Sequence, residues 1–274
     1  MKRKFKSLLA ISLTIVSSSM YVSCENEGDF QKEETHLSDE IVSAPKEVLM
    51  INGQKIHVKK TATEGKYLVE NDILMDISQM EQYYKPDAHK ANIGQIQWRN
   101  IWPNKTVYYQ INPRLRHRGI INNAMQIITQ QTGIRFVNST GTGNYIDITS
   151  NIYGDNSSDI GMTGGRQELS LSSASLGIAI HEFGHALGLA HEHSRSDRDQ
   201  YLVVDDKFWD KPFYGYSYGA FDFNSIMLYG SIKLSNGNWS FVRRSDGQPF
   251  RSATDSRSPR FSHGDLAVLR ALYR

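Results

Sequence analysis

Residues 181–191 read His181-Glu182-Phe183-Gly184-His185-Ala186-Leu187-Gly188-Leu189-Ala190-His191. Residues four apart on an α-helix share a face, so His181 and His185 can aim two imidazoles at a single ion. Glu182 is turned off that direction by one position yet stays within reach of a water on the metal, which suits a general base and not a ligand. Gly188 can adopt the left-handed backbone that ends a helix and turns the chain, and His191 then becomes available as a third ligand. Three neutral imidazoles leave one coordination position for water, the arrangement of a catalytic zinc site rather than of a closed structural one. One zinc ion per subunit is expected. A bare pair of histidines at this spacing also arises as a packed or solvated helix face, but five specified positions within eleven residues argue against chance.

Around this stretch the pattern is that of a mixed α and β chain. A helix is expected over residues 119–132, with Ile120, Ala124, Ile127 and Ile128 on one face and Gly133 as terminator, and another over residues 176–188. Short strands are expected at Thr106–Ile111, residues 134–137 and Tyr145–Thr149, and upstream at residues 48–51 and 55–58. Ser262-x-x-Asp265 ahead of Leu266, Leu269 and Leu272 reads as a capping box opening a C-terminal helix.

The 274 residues carry a formal net charge of +2, which gives no electrostatic argument for nucleic acid, and none is expected as a partner. That charge is unevenly spread: residues 25–90 hold 14 acidic and 8 basic side chains, whereas residues 91–274 hold 15 acidic and 19 basic. Two segments are implied. Cys24 is the only cysteine, so no intrachain disulfide can form. Lys2, Arg3, Lys4 and Lys6 precede an uncharged, largely apolar stretch over residues 7–22, the layout of an export signal and too short for a confident membrane span. Cys24 then stands after Val22-Ser23 and before an acidic run, resembling a relaxed lipobox with a surface-export signal. Lipidation of Cys24 is the favoured reading. Loss of Cys24 with the signal, a free thiol and a thiolate on the zinc are the alternatives.

The eleven-residue pattern is the metzincin signature, and its continuation through Glu192 to Asp199 closely resembles the zinc signature of the astacin family of zinc metalloendopeptidases, in its bacterial type. Ser225-Ile226-Met227-Leu228-Tyr229 resembles the Met-turn of that family, after Phe221-Asp222-Phe223-Asn224. The resemblance covers roughly residues 91–274. It implies an α+β metzincin (zincin-like) fold: an N-terminal twisted mixed sheet with two helices, one of them the zinc helix, then an irregular C-terminal subdomain with the Met-turn and the final helix. It also implies that Met227 packs beneath the ligands, that Tyr229 is a further zinc ligand in the free enzyme and an oxyanion donor during catalysis, and that Glu192 meets the new N-terminus after activation. Residues 165–171 resemble the family's substrate-binding edge strand, with Gln167, Leu169 and Leu171 along it. Arg243 or Arg244 would supply a counter-charge for an acidic substrate residue.

Val69-Glu70-Asn71-Asp72-Ile73 resembles the propeptide motif whose aspartate takes the water's place on zinc, with Val69 for an aromatic residue and Asn71 for glycine. Asn71 also tolerates a left-handed backbone. Asp72 is then the zymogen ligand; a solvent-exposed turn carboxylate is the competing reading. The expected organisation is a signal peptide at 1–23, a propeptide at 24–90 and a catalytic domain at 91–274, with activation cleavage before Ala91. The expected activity is zinc-dependent endopeptidase hydrolysis of protein or peptide by a Glu182-activated, zinc-bound water, from an exported protein that is an outer-membrane or cell-surface lipoprotein, otherwise secreted. A non-catalytic zinc-stabilised binding or adhesion module and a zinc amidase on cell-wall peptides are the competing functions.

Overall fold

A computed structural model describes residues 47–61, 63–84, 101–150, 154–205 and 218–274. The signal stretch, Cys24 and the Lys90-Ala91 bond lie outside the described residues. The strands are β1 (Glu47–Ile51), β2 (Gln54–Lys60), β3 (Tyr67–Val69), β4 (Ile73–Met75), β5 (Thr106–Ile111), β6 (Arg135–Asn138), β7 (Tyr145–Thr149), β8 (Ser157–Asp159), β9 (Arg166–Ser170), β10 (Leu202–Val204) and β11 (Phe241–Arg243). The α-helices are α1 (Ile77–Tyr83), α2 (Arg118–Thr132), α3 (Leu176–Ala186) and α4 (His263–Leu272). None of the described helices is long and apolar enough to cross a membrane.

The strands at 48–51 and 55–58 form an antiparallel hairpin, and the N-terminal segment continues as a meander through β4. That segment does not stand apart. β4 pairs in parallel with β8, so β1 to β9 form one nine-stranded mixed sheet in the order β1-β2-β3-β4-β8-β9-β7-β5-β6. The expected substrate edge at residues 165–171 is therefore corrected: β9 is an inner strand, bonded to β7 on one side and β8 on the other. Gln167, Leu169 and Leu171 are buried, because alternate side chains of a strand under helices face the core. The strand that borders the N-terminal segment is β8, too short and too polar (Ser157-Ser158-Asp159) to carry a hydrophobic strand signal.

α2 ends at Gly133 in the left-handed conformation, φ 74°. Its buried face is Ile121, Ala124, Met125 and Ile128, one position round from the expected stripe; Ile120 and Ile127 are only partly buried. This face and the Ala179, Ile180 and Phe183 side of α3 close over Val107, Ile146, Ile148 and Leu169 of the sheet. A second core joins Ile56, Val58, Val69, Ile73 and Met80 of the N-terminal segment to Leu202, Leu228, Phe241 and Phe250. The C-terminal half, which no disulfide can staple, is held partly by this shared core. It is also tied by Arg195, which is buried, pairs with Asp197 and Glu192, and donates to the carbonyls of Tyr218, Gly219 and Ala220. α4 opens with the expected capping box, and Asp265 also accepts from Ser225 Oγ at 2.6 Å and from the Ile226 amide at 3.0 Å. The last helix is thereby bonded to the turn beneath the histidines.

Candidate metal centre and active site

α3 starts where the Ser175 hydroxyl accepts from the Ile178 amide, and it buries every residue from Ala179 to Ala186. His181 and His185 lie on its inner face. Gly188, at φ 101°, turns the chain, and Trp102 fastens the helix end by donating its indole N–H to Ala186 O at 2.9 Å. His191 then arrives beside the other two. The three Nε2 atoms are 3.1, 3.2 and 3.3 Å apart.

Each imidazole uses its other nitrogen outward: His181 Nδ1 donates to Ile226 O at 2.7 Å, His185 Nδ1 to Leu189 O at 2.8 Å, and His191 Nδ1 to Glu70 Oε2 at 2.9 Å. With the protons so placed, three Nε2 lone pairs converge on one point, which is unfavourable unless a cation sits there. Nitrogens about 2.0–2.1 Å from one zinc at tetrahedral angles stand roughly 3.4 Å apart. The donor set therefore fits zinc. Glu182 is buried, and its Oε2 has no hydrogen-bond partner among the described residues, as a group reserved for substrate or water would have.

Asp72 completes the cluster. Its carboxylate lies 3.1 Å from His181 Nε2, 3.1 Å from His191 Nε2 and 3.5 Å from His185 Nε2, and the Tyr229 hydroxyl donates to it. The exposed-turn alternative is excluded, because Asp72 is 6% exposed. Burial alone would raise its pKa, but the neighbouring imidazoles, His191 and His185 foremost, hold the carboxyl well below its usual range. Burial, with the Asp72 charge, pushes Glu182 well up, and the same two causes raise Tyr229. Burial lowers His185 to about 4, keeping it neutral as a ligand must be. At His191 burial is outweighed by Asp72 and Glu70, which raise it to about 9 when no cation is bound, so zinc at its Nε2 would displace a proton.

Met227 lies directly under α3: a Cβ on Gly184 would stand 2.6 Å from its sulfur. Glu192 accepts from Arg195 at 3.1 Å and from the Asp222 amide at 2.8 Å. Arg243 stacks over Phe223 and Phe250 and faces Asp246 at 3.8 Å, while Arg244 donates to Leu202 O, so both guanidinium groups are engaged within the C-terminal half. Sequence reasoning missed Glu70, Ser194 and Asp265 as members of this site. Glu70 stood within the motif that drew attention to Asp72, but nothing in the spacing said that its side chain would reach His191.

The family model described as Astacin, a family of peptidases, matches residues 94–274. Astacin-like metalloprotease toxin 1 of Loxosceles intermedia is 32% identical over 232 residues, covering 77% of this chain and 82% of that protein. Flavastacin of Elizabethkingia meningoseptica is 28% identical over 82% of this chain, which spans only 54% of flavastacin's length. Among solved structures, high choriolytic enzyme 1, a hatching enzyme zinc-protease from Oryzias latipes, superposes with a TM-score of 0.55 at 26% identity, over 63% of this chain and 92% of that one.

Proposed function

The chain belongs to the astacin family of peptidases and is a zinc-dependent endopeptidase; from that premise we propose that it is made as a latent precursor whose Asp72 occupies the zinc site until residues up to about 90 are removed. The observation that carries this reading is the single buried carboxylate of Asp72 facing all three imidazole Nε2 atoms from outside the family-matched region.

His181, His185 and His191 would hold the ion, and the outward hydrogen bonds of their Nδ1 atoms fix each ring's tautomer and aim. Zinc, when bound, supplies Lewis acidity that lowers the pKa of a water and polarises a carbonyl. Glu182, buried beside the ligands, takes the proton from the attacking water and returns it to the leaving amine; no covalent acyl-enzyme is required. Tyr229, released from Asp72 once the segment leaves, would donate its phenolic proton to the oxyanion. Substrate would take the position that β4 now holds along β8, joined by backbone hydrogen bonds that require no particular side chain. Arg195, paired with Glu192, would anchor the loop at residues 218–220, and Glu192 would hold the Asp222 amide just beyond it. Met227 supports the ligand helix through the close approach at Gly184.

The export layout of residues 1–23 and the lipobox-like setting of Cys24 support an exported protein tethered by lipid at its N-terminus, and Cys24→Ser should then lose membrane fractionation. The decisive experiment for latency is peptide hydrolysis by unprocessed Asp72→Ala and Asp72→Ala/Glu182→Gln proteins. The first should turn over substrate before any cleavage and the second should bind zinc without turnover. A fully latent Asp72→Ala precursor would refute the switch.

A further inference from the structure

Two of the three imidazoles take their orienting acceptor from carbonyls within the family-matched region: Ile226 O for His181 and Leu189 O for His185. His191 does not. Its Nδ1 donates to Glu70, which belongs to the N-terminal segment, 121 residues away in sequence. Glu70 is held for this contact. Its side chain is 1% exposed, Oε2 also accepts from Ser194 Oγ at 2.6 Å, and Oε1 stands 3.4 Å from Tyr84 OH.

The backbone gives a second, independent sign. Glu70 and Asn71 form the turn between β3 and β4 with φ of 51° and 76°. Positive φ at both central residues of a tight turn suits Asn or Gly. Glu has no local side-chain bond to offset the left-handed conformation, which costs roughly 1–2 kcal/mol for an L residue. A straight-chain acid placed there against its preference points to work done by its carboxylate.

We propose that Glu70 is the outer-shell carboxylate of the third zinc ligand, present only in the precursor, so that the uncut chain binds zinc more tightly than the processed enzyme and is the form in which the metal is captured. This rests on the latency reading, since the segment must be the part removed. Glu70 acts through His191 and is a positioning residue, not a catalytic one. Removal of the segment withdraws two carboxylates at once, Asp72 from the metal side and Glu70 from the far side of His191. Outer-shell acceptors of this kind typically change metal affinity by about 10- to 100-fold.

The test is a zinc competition titration against a chromophoric chelator, using the full chain before and after limited trypsin digestion. Wild type, Glu70→Ala, Glu70→Gln and Asp72→Asn are compared, with folding checked by circular dichroism in each case. Before digestion, Glu70→Ala should bind zinc roughly 10- to 100-fold more weakly than wild type, and Glu70→Gln, which keeps an acceptor oxygen and the volume, should fall between them. After digestion wild type should weaken to at least the level of the uncut Glu70→Ala chain, and the cut variants should match cut wild type. If Glu70→Ala does not fold, Glu70→Gln alone carries the comparison. Equal affinity of uncut wild type and the Glu70 variants would overturn the proposal, as would zinc held as tightly after digestion as before. Peptide hydrolysis by the uncut wild-type chain is read separately: turnover there refutes latency, whereas these affinities address Glu70 itself.

Discussion

Gly177 and Gly119 each occupy the second position of a helix, Gly177 in α3 and Gly119 in α2, so substituting alanine changes helix propensity by the same small gain, at most about 1 kcal/mol. Their surroundings differ completely. A Cβ on Gly177 would stand 2.6 Å from Thr254 Cα and carbonyl carbon, and closer still to Thr254 O, whereas a Cβ on Gly119 meets nothing within 4 Å. Thr254 presents backbone there, in the turn Ala253–Asp255, so no side-chain rotation can relieve the clash. Overpacking of this kind costs about 1–3 kcal/mol, and a backbone obstacle puts Gly177→Ala at the upper end. Net of propensity, Gly177→Ala should lose about 2 kcal/mol while Gly119→Ala gains up to about 1. For a domain of this size that separates the two melting temperatures by roughly 6–12 °C. The assay is thermal unfolding of the two full-length proteins with excess zinc, followed by circular dichroism. Melting temperatures within about 2 °C of each other would refute the expected clash with the Thr254 backbone.

Trp102→Phe removes the indole donor to Ala186 O at the end of the ligand helix and should cost about 1–3 kcal/mol, read as a lowered urea midpoint with an unchanged slope. Lys66 donates to Asp159 at 2.7 Å and to Gln79 at 2.8 Å, tying the N-terminal segment to β8, so Lys66→Met should lower the urea midpoint of the full chain. Burial already raises the Asp159 pKa above its reference value of 3.8 despite Lys66, so ionisation of Asp159 opposes the docked fold. Its favourable neutral state is present below that reference value and lost as pH rises through the raised folded value. The Lys66→Met deficit should therefore be larger at about pH 7 than at about pH 4, and a deficit independent of pH would contradict it.

Much of this was legible in local pattern. The helix at 118–132, its glycine stop and the strands Thr106–Ile111 and Tyr145–Thr149 follow from periodicity and turn chemistry that act within a few residues. Strands such as β8, three polar residues long, carry no such signal, because what makes them strands is the pairing of their backbones with β4 and β9. That is also why residues 165–171 read as an edge although β9 is paired on both sides: edge and interior are properties of a sheet, and a strand's own residues do not record its neighbours.

The same division runs through the active site. The sequence by itself determined the donor types and their local geometry: two imidazoles one helical turn apart, a carboxylate between them, and a glycine that returns the chain to a third. Those are consequences of helix pitch and backbone sterics, which need only short-range order. The resemblance of residues 69–73 to a propeptide motif pointed to Asp72, but only the tertiary structure carried it to the imidazoles and brought Glu70 with it. Asp72 lies 109 residues before His181 and Glu70 121 before His191, and their reach depends on β4 joining β8 and on a turn with two left-handed residues. Long-range pairing of that kind is set by burial and backbone hydrogen bonding over the whole sheet, and those are not encoded at any one spacing.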